Sequence, residues 1–386
     1  MLLNDFSFFL QTNLIFGKGK IRYLVDSISN FGWKKLALVL DAGPERNVLW
    51  QEVEKEISKK YEIVVRLVTE VREPTYDYLD QARQSFMGKA IDGFIVMGGG
   101  SVMDVGKALS VLVTNTEPAI HYRGFDLIKN PGIPVIAIPT TAGTGSEVTP
   151  NAVFIDTKEK IKFGINTAMY IPKLCILDSL LTVSCPRHVT ISSGMDALVH
   201  AHESFVSKKA TPITQLFAKE AFKLVFNAIK NVVNSPQDID ARAQVQLGSY
   251  MAAIALFNSS AGPAGAMSYP LGVDYEVPHG LAGAVFLPRI IQHNVNAGYT
   301  DYIELYNLID GALPLENARE ASEAFSNHVW ELCDALEVPR TLISFGFYKE
   351  DISRFLEKSQ MLQGAFEMNP VPFTVENVSQ ILEKMT

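Results

Sequence analysis

The chain has 386 residues, 47% of them apolar and 20% charged, an ordinary globular balance with length for two domains. With 34 Lys and Arg against 42 Asp and Glu, the net charge of −8 argues against nucleic acid or an anionic membrane surface as partner. No apolar run of about 18 residues or basic leader region is present, and three cysteines without a Cys-x-x-Cys pair point to a reduced, cytoplasmic protein.

Short apolar runs mark the first half. Residues 35–40, 62–68, 93–97 and 134–138 are bounded by Gly, Pro or polar residues and read as strands. Between the first two, Val48–Lys60 reads as a helix with Glu and Lys on its wet side. Such alternation is the pattern of βαβ units around a buried parallel sheet. After about Pro186 the texture changes, and residues 211–233, 238–257 and 317–336 carry apolar side chains at helical spacing. The expected fold is an α/β domain with a parallel sheet, residues 1–182, followed by an all-helical domain, residues 183–386. A cleft between them is the default site.

Two loops carry phosphate chemistry. Gly98, Gly99, Gly100 and Ser101 follow an expected strand and open an expected helix, whose free N–H groups and dipole make an anion site. A tight turn with Ser as a helix cap would use the same residues. The run Pro139-Thr140-Thr141-Ala142-Gly143-Thr144-Gly145-Ser146-Glu147 also follows a strand and offers hydroxyls to phosphate or ribose. Two such loops at strand ends of one sheet fit a dinucleotide. Asp41 closes the first clear strand, where a carboxylate accepts from the adenosine ribose and repels a 2′-phosphate, favouring NAD over NADP. A turn-forming Asp is the alternative.

Asp196 and His200 stand four apart in Gly194-Met195-Asp196-Ala197-Leu198-Val199-His200-Ala201-His202-Glu203, on one helix face, and can ligate one divalent metal. A structural Asp–His hydrogen bond is the plainer reading. His279, fixed between Pro278 and Gly280, is a further ligand candidate from another element. His121, His188, His293 and His328 are isolated and expected at the surface or in caps, and His202 points away from His200.

These motifs, in this order, resemble the group III, or iron-containing-type, metal-dependent alcohol dehydrogenases along almost the full chain. The likeness starts at Phe16-Gly17-Lys18-Gly19, takes in both loops, Gly-x-Asp-Ala-x-x-His-Ala and His279-Gly280, and ends near Asn369-Pro370. It implies a Rossmann-like first domain, a helical second one, NAD(P), and a divalent metal beside the nicotinamide. By carry-over, Gly99, Gly100, Ser101, Thr140, Thr141, Thr144 and Lys162 are cofactor residues, and Asp104 lies near the nicotinamide end as a cofactor and catalytic candidate. Iron-type members usually carry a third histidine ligand where this chain has Gly265, and a proton-transfer histidine where it has Tyr269. Tyr269 therefore becomes the catalytic proton candidate. Three ligands, Asp196, His200 and His279, with an open position favour Zn2+ over Fe2+.

The phrase Ala264-Gly265-Ala266-Met267-Ser268-Tyr269-Pro270-Leu271-Gly272 resembles the branch that oxidises the terminal alcohol of the sugar acid Kdo at C8, in lipopolysaccharide sugar biosynthesis. The expected activity is NAD-linked interconversion of a primary alcohol and an aldehyde, by a homodimer or higher homo-oligomer. Competing readings are a dehydroquinate-synthase-like or glycerol-dehydrogenase-like enzyme, or an impaired sugar-binding relative. The first of these needs several basic residues on a phosphate-bearing substrate, for which only Arg123, Lys162 and Arg289 offer themselves.

Overall fold

The computed structural model describes residues 5–69 and 73–386. Strands β1 (Asn13–Phe16), β2 (Lys35–Asp41), β3 (Glu62–Thr69), β4 (Gly93–Gly98), β5 (Gly124–Phe125), β6 (Val135–Pro139), β7 (Asn151–Asp156), β8 (Ile161–Asn166) and β9 (Leu174–Leu177) all lie in the first half. Six of them form a parallel sheet in the order β1-β9-β6-β4-β2-β3. A smaller sheet runs β5-β8-β7, with β7 antiparallel to β8.

The continuous apolar runs have a direct cause: both faces of the large sheet are buried. Leu36, Leu38, Leu40, Ile95, Met97, Ile136 and Ile138 point to one side, against Leu24, Val25 and Ile28 and against Trp50, Val53 and Ile57 of the Val48–Lys60 helix. The intervening Ala37, Val39, Phe94, Val96, Val135 and Ala137 point to the other, against Leu79, Met103, Val105 and Leu109. Period-two alternation thus survives within runs that look uniformly apolar. Gly106 sets the distance between the Gly100–Leu112 helix and β4, since a Cβ there would lie 2.4 Å from Val96 Cγ2.

From Arg187 onward the regular structure is helical. The expected segments at 211–233, 238–257 and 317–336 appear as Pro212–Asn234, Ile239–Phe257 and Ala318–Ala335. Each begins one residue late because Thr211, Asp238 and Asn317 are N-caps, their side chains accepting from the first free N–H groups. The Arg187–Val206 helix is buried nearly all round from Thr190, as expected of a helix packed on several sides. No helix among the described residues is long and apolar enough to cross a membrane.

Packing divides the described residues into one unit of Leu10–Pro186 and another of Arg187–Thr386 with residues 5–9. Apolar and polar contacts tie that N-terminal segment to helices. Phe8 stacks on Phe217 with ring centroids 5.8 Å apart. Phe9 exchanges two backbone bonds with the Asn258 side chain, at 2.7 and 2.9 Å.

Candidate functional site

In the α/β unit the chain leaves β2 for β3 on one side and β4 for β6 on the other. The carboxyl ends of β2 and β4 therefore form a topological switch point, where open α/β sheets take up ligands. Asp41 ends β2 and Gly98 ends β4. A Cβ on Gly98 would sit 2.8 Å from Val102 Cβ and 3.0 Å from Asp41 Cβ, so glycine lets the two strand ends close up. Gly100 is similarly tight, 2.6 Å from Thr144 Cγ2, whereas Gly99 has nothing nearer than Thr141 Cγ2 at 3.4 Å. Gly99 is the N-cap of the Gly100–Leu112 helix and contributes no side-chain cap bond. The three glycines thus bring the helix N-terminus and the Thr140–Thr144 loop together around one partly exposed backbone stretch, an arrangement able to cradle a pyrophosphate.

Asp41 Oδ1 accepts from Gly43 N–H at 3.1 Å, so it does form a turn, and its position at the switch point still suits a ribose. For NAD over NADP selectivity, Asp41→Ala is expected to narrow the affinity gap by about 1–2 kcal/mol, on the order of one charged hydrogen bond. Parallel titrations with NADH and NADPH check this, and an unchanged gap would assign Asp41 to the turn alone.

Two carried-over residues are held by the protein itself. Lys162 lies in β8 with Nζ 2.7 Å from Glu73 Oε2. Asp104 accepts from Ser146 Oγ and, at 2.9 Å, from Val153 N–H, and lies 4.0 Å from Lys107 Nζ. Lys107, fully buried, donates to the carbonyls of Ser146 (2.7 Å), Thr149 (3.1 Å) and Asn151. Burial pulls its pKa down to about 8, pushes Glu147 up to about 7 and raises Asp104. The arrangement fastens the loop after β6 to the helix after β4, and Lys107 is a residue the sequence reading did not single out.

In the helical unit, Asp196, His200 and His279 offer ligand atoms all within 4.8 Å of one another. His200 Nε2 lies 3.6 Å and His279 Nε2 4.0 Å from Asp196 Oδ1. Asp196 and His200 come from the Arg187–Val206 helix, and His279 begins the His279–Asn296 helix. Gly280 explains how the two helices meet: a Cβ there would lie 2.0 Å from Ser192 O and 2.7 Å from Asp196 Cβ. Any side chain at 280 would push His279 away from its partners.

Ser268 Oγ lies 2.5 Å from Gly265 O and 2.7 Å from His279 Nδ1; with its own proton given to the carbonyl, it accepts from a proton on Nδ1. Nε2 is then the lone-pair nitrogen, and it faces Asp196. A buried carboxylate, two converging imidazoles and a partner on the far nitrogen fit a divalent metal. Tyr269 sits beside the site, its ring centroid 5.1 Å from that of His279.

The remaining histidines do not join. His202 is buried, and its Nε2 is 2.8 Å from Tyr302 Oη; burial drives its pKa down to about 3, so it stays neutral. His293 Nε2 meets Pro372 O at 2.9 Å, His328 pairs with Glu331, and His121 and His188 are exposed. Sequence reasoning missed Ser268 and the buried Glu203, which accepts from Gly265 N–H at 2.9 Å. The signal available for Glu203 was an acidic residue inside an otherwise apolar helical stretch.

Residues 11–179 match the family model described as iron-containing alcohol dehydrogenase, and residues 190–386 match the C-terminal model of the same family. The chain is 30% identical over 384 residues to the NAD-dependent methanol dehydrogenase of Bacillus methanolicus, covering 98% of this chain and 99% of that one. Its fold is similar to that of the alcohol dehydrogenase from Oenococcus oeni, at a TM-score of 0.92 and 27% identity, over 99% of this chain and 100% of that one. It is also similar to the sulfoacetaldehyde reductase from Bifidobacterium kashiwanohense, solved in complex with NAD+, at 0.88 and 26% over 99% of each chain.

Proposed function

The chain belongs to the iron-containing alcohol dehydrogenase family, an oxidoreductase acting on CH–OH with NAD, and from that premise we propose that it interconverts a small primary alcohol and its aldehyde. One observation carries the reading: Asp196, His200 and His279 converge within 4.8 Å. A divalent metal held there supplies Lewis acidity toward an alcohol oxygen, and bound NAD supplies the hydride acceptor.

The chain's own residues do the holding and orienting. The Gly98–Ser101 turn and the hydroxyls of Thr140, Thr141 and Thr144 would bind the dinucleotide, with Asp41 at its ribose. Asp196, His200 and His279 would bind the metal, with Ser268 keeping the proton of His279 on Nδ1. Tyr269 is the proton candidate; with a phenol's reference pKa of about 10 it would need a nearby cation to work near neutrality.

Zinc suits a three-ligand set with an open position, while the family's name carries iron. The Kdo reading rests on the phrase at 264–272 alone. The relatives above are named for small alcohols and aldehydes, which supports the small-alcohol reading instead. A phosphate-binding lyase has less support, because Arg123 is engaged by Asp156 and Glu159 and Lys162 by Glu73.

The test is NADH formation from a panel of primary alcohols by purified protein, with elemental analysis of the same batch. Turnover should stop on chelation and return with one divalent ion. Full activity in metal-free protein, or no turnover of any primary alcohol, would overturn the reading.

A further inference from the structure

We propose that Glu203 orients His200 for metal binding through one bridging water, which accepts from His200 Nδ1–H and donates to the Glu203 carboxylate. The inference rests on the metal reading above and adds a positioning residue to it. His200 turns Nε2 toward Asp196, so its ring proton must sit on Nδ1 if the imidazole is to ligate in its neutral form. That Nδ1 is buried and has no hydrogen-bond partner among the described residues.

Glu203 lies three residues on, next to His200 on the helix surface. Its Oε1 accepts from Gly265 N–H at 2.9 Å, while its Oε2 is buried and also lacks a partner. A buried donor and a buried acceptor, neighbours on one helix, each lack what the other offers. Leaving both unmet is costly, and native interiors satisfy nearly all such groups. No direct bond joins them, so a single water between polar partners is the economical solution.

Gly265 leaves the space. A Cβ at that position would come within 2.9 Å of Glu203 Oε2. The Gly265 N–H, in the first turn of the Pro263–Tyr275 helix, holds the carboxylate through Oε1. That helix then serves both imidazoles. Ser268 fixes His279 directly, and the helix N-terminus fixes His200 through Glu203.

Glu203→Gln keeps the shape and an oxygen for Gly265 N–H, but turns an amide donor toward the bridging water, which then has no acceptor for its own proton there. Zn2+ is titrated into metal-stripped protein against a chromophoric chelator, and the ring nitrogens of 15N-histidine-labelled protein are followed by NMR. Zn2+ affinity is expected to fall about 10- to 100-fold, and the His200 signature of a proton on Nδ1 to be lost, with the thermal midpoint little changed. Gly265→Ala is the second variant. It keeps the carboxylate's charge and the N–H at 265, but its Cβ, 2.9 Å from Oε2, would push that oxygen off the water and should weaken Zn2+ binding in the same direction. Wild-type Zn2+ affinity and an unchanged His200 tautomer in both variants would reduce Glu203 to a helix cap and overturn the proposal. Absence of stoichiometric Zn2+ binding in the unaltered protein would instead sink the metal reading, and this inference with it.

Discussion

Replacing His279 by alanine is expected to strip the protein of its metal while leaving it folded. Three donors hold the ion in this arrangement, and the variant keeps only Asp196 and His200, two positions four apart on one helix. Losing a ligand costs more than losing the partner that orients one, which typically lowers affinity by about 10- to 100-fold. Metal occupancy after dialysis should therefore drop to a small fraction of wild type, and kcat/KM by about 1000-fold or more, roughly 4 kcal/mol of transition-state stabilisation. Stability should move by only about 1 kcal/mol, because His279 opens its helix, and its side chain is 27% exposed. Asp196 would be a poorer probe, since it is 3% exposed and its loss disturbs the interior as well. The check is elemental analysis, alcohol turnover and thermal unfolding on one preparation. Wild-type metal content with wild-type turnover would remove His279 from the site.

Much of this arrangement was legible in the sequence for definite reasons. Runs such as 35–40 and 93–97 announce a buried parallel sheet because both faces are covered. Asp196 and His200 are readable because helical periodicity puts i and i+4 on one face. Other parts were hidden. The small β5-β8-β7 sheet contains a two-residue strand and polar positions at Asn151 and Asn166, so no alternation stands out. The Pro263–Tyr275 helix is rich in Gly and Ala and contains Pro270, residues that by propensity argue against a helix or leave its face undefined. Ser268 and Glu203 could not be assigned for the same reason. Their partners, the His279 ring and the Gly265 amide, lie 11 and 62 residues away.

The second large effect is expected at Gly99. Its backbone, at φ −74° and ψ −178°, is extended and open to any L-residue, and an added Cβ meets only the Thr141 side chain, Cγ2 at 3.4 Å and Oγ1 at 3.6 Å. Gly99→Val should thus fold, unlike changes at Gly98 or Gly100, where the new atom would run into Val102 or Thr144 at 2.8 and 2.6 Å. What valine would obstruct is the approach to the first N–H groups of the Gly100–Leu112 helix, the strongest anion-attracting feature of the cradle. A pyrophosphate kept from those amides loses several charge-assisted hydrogen bonds together, so NADH affinity should fall by more than about 100-fold, or roughly 3 kcal/mol. Gly99→Ala, with a single methyl in the same place, should fall between valine and wild type. The graded series separates obstruction from misfolding, because misfolding would lower the thermal midpoint along with the affinity. If Gly99→Val binds NADH as the unaltered protein does, the glycine triplet is a turn between β4 and its helix, and the dinucleotide must be held by other residues of the α/β unit.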